Sequence, residues 1–335
     1  MLVRRIFAWF LTVALLFTSS CGGNPSGGAP SSNASQKLNV AATIFVLADW
    51  LKNVGGDHVD VYCLVSGANN PHHFDPTTQD AVQLSRSRAV FAIGLELDSW
   101  AAKLARSAGS QVELIEAGRW ITPRTFTFGA CCAAGDHDGH GHDHEHAHSH
   151  DHKHEPGGAD PHFWHDPQRV ITIVEKLAVE LSRLDPAHAA DYKTNADKYI
   201  TRLKELDAEV VKAATLIPKN TRLVTFHDAY SYLFERLNIT LAGVFQMTPG
   251  IEPSLRDVTE AVRMMKEVGQ KTVFKEPLES ATAADRVAQE VGARVELLDP
   301  MDSEAGAEFG GYIERFRGNL KRLTQALAPH DGAPQ

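Results

Sequence analysis

From Leu38 onward the chain alternates short apolar runs with longer amphipathic stretches. Leu38 to Thr43, Val59 to Val65, Ala89 to Ile93 and Val112 to Leu114 read as buried strands. Phe45 to Val54, Thr77 to Ser85 and Ser99 to Ser107 read as the helices between them. This strand-helix rhythm predicts a parallel sheet covered by helices. Residues 129 to 158 break it: Gly, Asp and His dominate, no apolar face exists at either period, and the stretch reads as a structureless insertion. Arg169 to Leu184 then reads as a helix. Asp185-Pro186 follows as an N-cap with proline at the first helical position. Ala187 to Ile217 carries no Gly or Pro, with Tyr192, Ala196, Tyr199, Leu203, Leu206, Val210 and Ala213 at helical spacing. That is one helix of about thirty residues, roughly 45 Å long. After Pro218 the alternation resumes. Strands are predicted at Thr221 to Thr225, Leu241 to Val244, Thr272 to Phe274 and Val295 to Leu298, with helices at Ala229 to Leu237, Ser254 to Val268, Thr282 to Val291 and Phe309 to Leu327. The expected fold is α/β, with two similar parallel-sheet lobes joined by one long rigid helix.

The segments divide the chain. Residues 1–20 read as an export signal, with Arg4 and Arg5 before an apolar run from Ile6 to Phe17 that is too short to span a bilayer. Thr18-Ser19-Ser20-Cys21 resembles a lipoprotein cleavage site, with Thr18 where leucine is usual, so Cys21 is the expected lipidation point. Residues 21–37, rich in Gly, Ser, Pro and Asn, form a flexible tether. The first lobe is expected at 38–168, a helical connector at 169–217 and the second lobe at 218–328. The location expected is extracytoplasmic, in the periplasm or on the cell surface.

Composition narrows the function. At 335 residues and 43% hydrophobic, the chain has material for two cores and is not disordered as a whole. A net charge of −9 excludes the clustered Lys and Arg that nucleic acid needs. The four cysteines, Cys21, Cys63, Cys131 and Cys132, form no C-x-x-C pair and indicate neither a zinc ribbon nor a disulfide framework. Of seventeen histidines, nine fall in one run: His137, His140, His142, His144, His146, His148, His150, His152 and His154. Alternating with Asp, Gly and Glu, they offer many weak, mobile metal sites, suited to collecting metal or sensing its abundance.

Three rigid, histidine-bearing segments stand apart from that run. They are Pro71-His72-His73-Phe74-Asp75-Pro76, Asp160-Pro161-His162-Phe163-Trp164-His165-Asp166-Pro167 and Phe226-His227-Asp228-Ala229-Tyr230. Each puts imidazole in a loop or at a strand end, where ligands collect in α/β sheets, and the flanking prolines fix the backbone of the first two. Together they resemble the three ligand motifs of the solute-binding proteins of metal-uptake ABC transporters, in the zinc, manganese and iron cluster, and the similarity runs from Leu38 to Leu327. The resemblance implies two lobes bridged by a rigid helix with the metal in the cleft between them. It implies His72, His162 and His227 as ligands and the carboxylate of Asp299, in Leu298-Asp299-Pro300, as a fourth. Glu276, in Phe274-Lys275-Glu276-Pro277, competes for that role, and His73 and His165 are alternatives within their motifs. Imidazole-rich ligation with one carboxylate suits Zn²⁺ better than Mn²⁺. The implied partners are a membrane permease and a separate ATPase subunit, with the protein as an uptake carrier. A stand-alone extracellular zinc buffer or adhesin is the alternative. A zinc hydrolase would need an H-E-x-x-H helix or an open position with a base. His144-Glu145-His146-Ala147-His148 mimics part of the motif in a run without a helical face. Neither a Gly-x-Ser-x-Gly elbow nor a Walker loop occurs, so no enzyme activity is expected.

Overall fold

A computed structural model describes residues 37–67, 69–109, 111–126, 158–244, 253–278, 281–305 and 310–328. The export signal, the tether with Cys21, and the run from His137 to His154 lie outside the described residues.

The first lobe follows the apolar pattern closely. Strands β1 (Leu38–Ala42), β2 (Val59–Cys63), β3 (Ala89–Ala92) and β4 (Glu113–Glu116) form a parallel sheet in the order β2-β1-β3-β4. Helices α1 (Phe45–Gly55), α2 (Thr78–Ser85) and α3 (Trp100–Ala108) supply the crossovers. Thr77 and Asp80 close a reciprocal capping box that starts α2, satisfying two backbone N–H groups the helix cannot.

Helix α4 (Pro167–Leu184) begins two residues before the expected Arg169: Asp166 accepts from the Gln168 N–H and Pro167 takes the first helical position. Helix α5 (Ala189–Ala214) is the long one, with 26 residues spanning about 39 Å. It starts later than the sequence suggests. The Asp185 carboxylate is taken by the His188 ring at 2.6 Å and the Tyr192 hydroxyl at 2.6 Å, and Pro186–His188 form a separate 3-10 turn.

The second lobe contains β5 (Arg222–Thr225), α6 (Ser231–Leu237), β6 (Thr240–Val244), α7 (Leu255–Val268), β7 (Thr272–Lys275), α8 (Ala281–Val291), β8 (Arg294–Leu297) and α9 (Tyr312–Leu327). Its strands pair two and two, β5 with β6 and β7 with β8, all parallel. The reason is visible at Gln270. Its side-chain amide accepts from Val224 N at 2.7 Å and donates to Val224 O at 3.1 Å, taking backbone groups of β5 that a neighbouring strand would otherwise use.

One apolar core runs through both lobes. Trp50 and Leu51 of α1, Leu177 of α4, Tyr192 and Leu203 of α5, and Tyr312 and Phe316 of α9 belong to the same buried cluster. Helix α5 packs along α4 and touches α1 of the first lobe and α6 and α9 of the second.

Candidate metal centre

Each of the three motifs delivers its imidazole by a different local device. His72 sits in a 3-10 turn (Pro71–His73) whose N-cap, Asn70, accepts from the His72 N–H at 2.9 Å. His162 follows Pro161 and precedes a 3-10 turn (Phe163–His165). Buried Trp164 anchors that turn by donating to Pro300 O at 2.7 Å, and Tyr312 donates to Trp164 O at 2.6 Å. His227 leaves the carboxyl end of β5, with its carbonyl held by the Thr225 hydroxyl at 2.8 Å.

The three meet. Ring centroids lie 5.6 Å apart for His72 and His162, 5.8 Å for His72 and His227, and 5.5 Å for His162 and His227. One potential ligand atom from each falls within 4.8 Å of the other two, and all three residues are buried. Two of the rings have carboxylates behind them. His162 Nδ1 lies 2.8 Å from Asp160 Oδ1, and His227 Nδ1 lies 2.9 Å from Glu276 Oε1. Such a pairing fixes the tautomer with the proton on Nδ1 and makes Nε2 the basic, ligating nitrogen. Tyr230 Oη lies within hydrogen-bond distance of Glu276 Oε1 (3.2 Å) and Leu298 O (2.9 Å), steadying the second carboxylate.

The carboxylates differ in how they are held. Asp299, expected as a ligand, accepts from Arg315 at both of its oxygens, at 2.7 and 2.8 Å. Glu276 is committed to His227 Nδ1. Asp302, which motif reading passes over, is buried. Burial pushes its pKa up to about 7, and the nearby His227 is the foremost charge pulling the other way. Asp160 is raised to about 7 by burial as well, against the His162 N–H and the Arg124 charge, which lower it.

His165 joins none of this. It is fully buried, 5.0 Å from the Tyr230 ring, and desolvation and then the neighbouring His162 and His227 hold its pKa well below the usual imidazole value. His73 is exposed, at a groove lined by Phe74, Trp100 and Lys103. The stem of the histidine-bearing insertion is described: Thr125 bridges Ala159, Phe126 N donates to Gly158 O at 3.0 Å, and Asp160 N donates to Arg124 O at 2.8 Å. Phe126 and Gly158, which flank the histidine-bearing run, are therefore paired next to Asp160, the residue behind His162.

Sequence reasoning did not single out the buried Asp302 or the Arg315 guanidinium that holds Asp299. Asp302 lies three positions past Asp299, and nothing local separates the two. Arg315, sixteen positions after Asp299, reads as one charge on an amphipathic helix.

Residues 40–326 match the family described as zinc-uptake complex component A periplasmic. The zinc-binding protein AdcA of Streptococcus pyogenes serotype M1 is 29% identical over 278 residues, covering 82% of this chain and 50% of that protein. The chain thus spans about half the length of that relative. The manganese-binding lipoprotein MntA of Bacillus subtilis (strain 168) is 28% identical over 329 residues, covering 95% of this chain and 98% of its own length. A crystal structure of ZnuA superposes with a TM-score of 0.70 at 25% identity, covering 88% of this chain and all of that one. The laminin-binding protein Lmb of Streptococcus agalactiae, described as having adhesin and metal transporting activity, gives 0.69 at 27% identity, covering 87% of this chain and 99% of that one.

Proposed function

The chain belongs to the zinc-uptake complex component A periplasmic family, and from that premise we propose that it captures Zn²⁺ outside the cytoplasm and hands it to an ABC transporter permease. The observation that carries this reading is the buried trio His72, His162 and His227, whose ligand atoms lie within 4.8 Å of one another. Three neutral imidazoles are a donor set suited to zinc, and the Nδ1 carboxylates of Asp160 and Glu276 raise their basicity. For the fourth donor the resemblance points to Asp299, with Glu276 competing; Asp299 is paired with Arg315, so its ligation would require that pair to open. Four protein ligands close the sphere and favour carriage over catalysis. Manganese is the competing cargo, since relatives include manganese-binding lipoproteins. The imidazole majority argues for zinc, because Mn²⁺ favours oxygen donors.

The histidines from His137 to His154 extend this role. Residues 126 and 158, on either side of their run, pair next to Asp160, and metal gathered by the run would pass on to His162. Lipidation of Cys21 would keep the carrier at the membrane near its permease. Among the described residues no helix is long and apolar enough to cross a membrane.

Metal content and zinc affinity of the protein lacking residues 129–158 test the reading. One tightly held zinc is expected, lost in the triple variant His72→Ala, His162→Ala, His227→Ala. Equal affinity with and without the trio would sink the assignment.

A further inference from the structure

The three imidazoles are enclosed unequally. His162 is flanked by the Phe126 ring at 6.1 Å and the Trp164 ring at 5.1 Å, and His227 by the Tyr230 ring at 6.3 Å, all centroid to centroid. Ring carbon offers a hydrated dication no donor in exchange for its waters. His72 differs. It lines a groove of about 950 Å³ between the start of α2 and α3, whose walls also include Phe74, Trp100 and Lys103. His73 and Asp75 are exposed and line the same groove. The groove therefore runs from solvent to one member of the trio, with a second imidazole and a carboxylate on the way. Its wall is tied to the turn that carries His72: Trp100 Nε1 donates to Pro71 O at 3.3 Å, and the Phe74 and Trp100 rings lie 4.7 Å apart. Lys103, exposed on that wall, forms no ion pair among the described residues.

We propose that this groove is the route by which Zn²⁺ from solution enters the site, with His73 and Asp75 as transient donors that replace the ion's first waters before His72 takes it. This rests on the reading of His72, His162 and His227 as the ligands. Lys103 opposes the same step, because a fixed cation on the wall raises the potential that a dication must cross. A donor met only in passage stabilises a state between free and bound ion, so it speeds entry and exit alike and leaves the affinity unchanged. Loss of a ligand, by contrast, shows in the affinity, chiefly through faster release.

The test is stopped-flow kinetics, with Zn²⁺ association read by competition with a fluorescent chelator and release read by mixing zinc-loaded protein with excess chelator. The chain beyond the export signal is used whole, and a second series lacks residues 129–158, so that metal passed on from the histidine run does not mask the groove. His73→Ala and Asp75→Asn should each slow association and release together, about three-fold or more, with affinity within about two-fold of wild type. Lys103→Gln should speed both steps by a similar factor, and its effect should shrink as salt rises, since exposed charges are screened. His73→Asp, which restores a donor, should recover wild-type rates. Unchanged rates in His73→Ala and Lys103→Gln in the series lacking residues 129–158 overturn the route. An affinity loss of about ten-fold or more in His73→Ala, with release faster than wild type, makes His73 a ligand and overturns its role in passage. Failure of the underlying reading shows elsewhere, as unchanged equilibrium affinity in the triple variant His72→Ala, His162→Ala, His227→Ala.

Discussion

Asp160 and Glu276 hold no metal in our reading, yet the site depends on them. Each accepts from Nδ1 of one imidazole and so decides which nitrogen faces the cleft. Asp160→Asn and Glu276→Gln should each lower zinc affinity about 10–100-fold with little change in fold, measured by chelator competition alongside circular dichroism. His165→Phe should leave zinc affinity near wild type, since that ring packs on Tyr230 and is not in the group of converging ligand atoms; a large loss would make it a ligand. A pH prediction belongs to Asp98, remote from the metal. Desolvation raises its pKa to about 6, against hydrogen bonds from the Thr43 hydroxyl and the Ile93 and Gly94 N–H groups. Between the ordinary carboxylate range and that value the folded chain keeps a proton the unfolded chain has lost. Stability from this group therefore falls as pH rises across the window, by up to ~1.4 kcal/mol per pH unit. The difference in urea-unfolding free energy between wild type and Asp98→Asn, with chelator present, should favour wild type more at about pH 4.5 than at about pH 6.5. A flat difference would rule out the raised value. At this scale the sequence was legible for His72, His162 and His227, because prolines and strand ends mark their segments. It did not reveal that Asp299 is paired with Arg315, since that guanidinium lies sixteen residues away.

At the scale of elements, every strand and helix expected between 38 and 126 is present, within a few residues of its expected limits. Those limits shift where side chains compete for caps, as at Asp185. The second lobe departs more. Alternation predicts four strands and they exist, but Gln270 divides them into two pairs by bonding to both backbone groups of Val224. Gln270→Leu would bury an N–H and a C=O without partners, and should destabilise the protein by about 2 kcal/mol or more in urea unfolding. No change would mean that β5 and β7 can pair without it. Nothing in the periodicity of 221–275 reveals this, because one polar residue beside a strand has many ordinary readings.

For the whole molecule, a single core through α1, α4, α5 and α9 ties the lobes together. Zinc binding should therefore change the small-angle scattering profile by no more than experimental error, and a large compaction would contradict the shared core. Because ligation requires neutral imidazoles, zinc affinity should decline as pH falls through ~6.5, and the zinc-dependent rise in melting temperature should shrink with it. The sequence by itself determined the class of fold, the long helix and the three imidazole segments. Apolar period, proline and turn chemistry are local properties, and each acts within a few residues. The tertiary structure alone decided which carboxylates stand behind the imidazoles, that Asp299 pairs with Arg315, and that Phe126 meets Gly158. Those outcomes depend on distances between groups tens of residues apart, and burial gives such contacts a strength that no local pattern records.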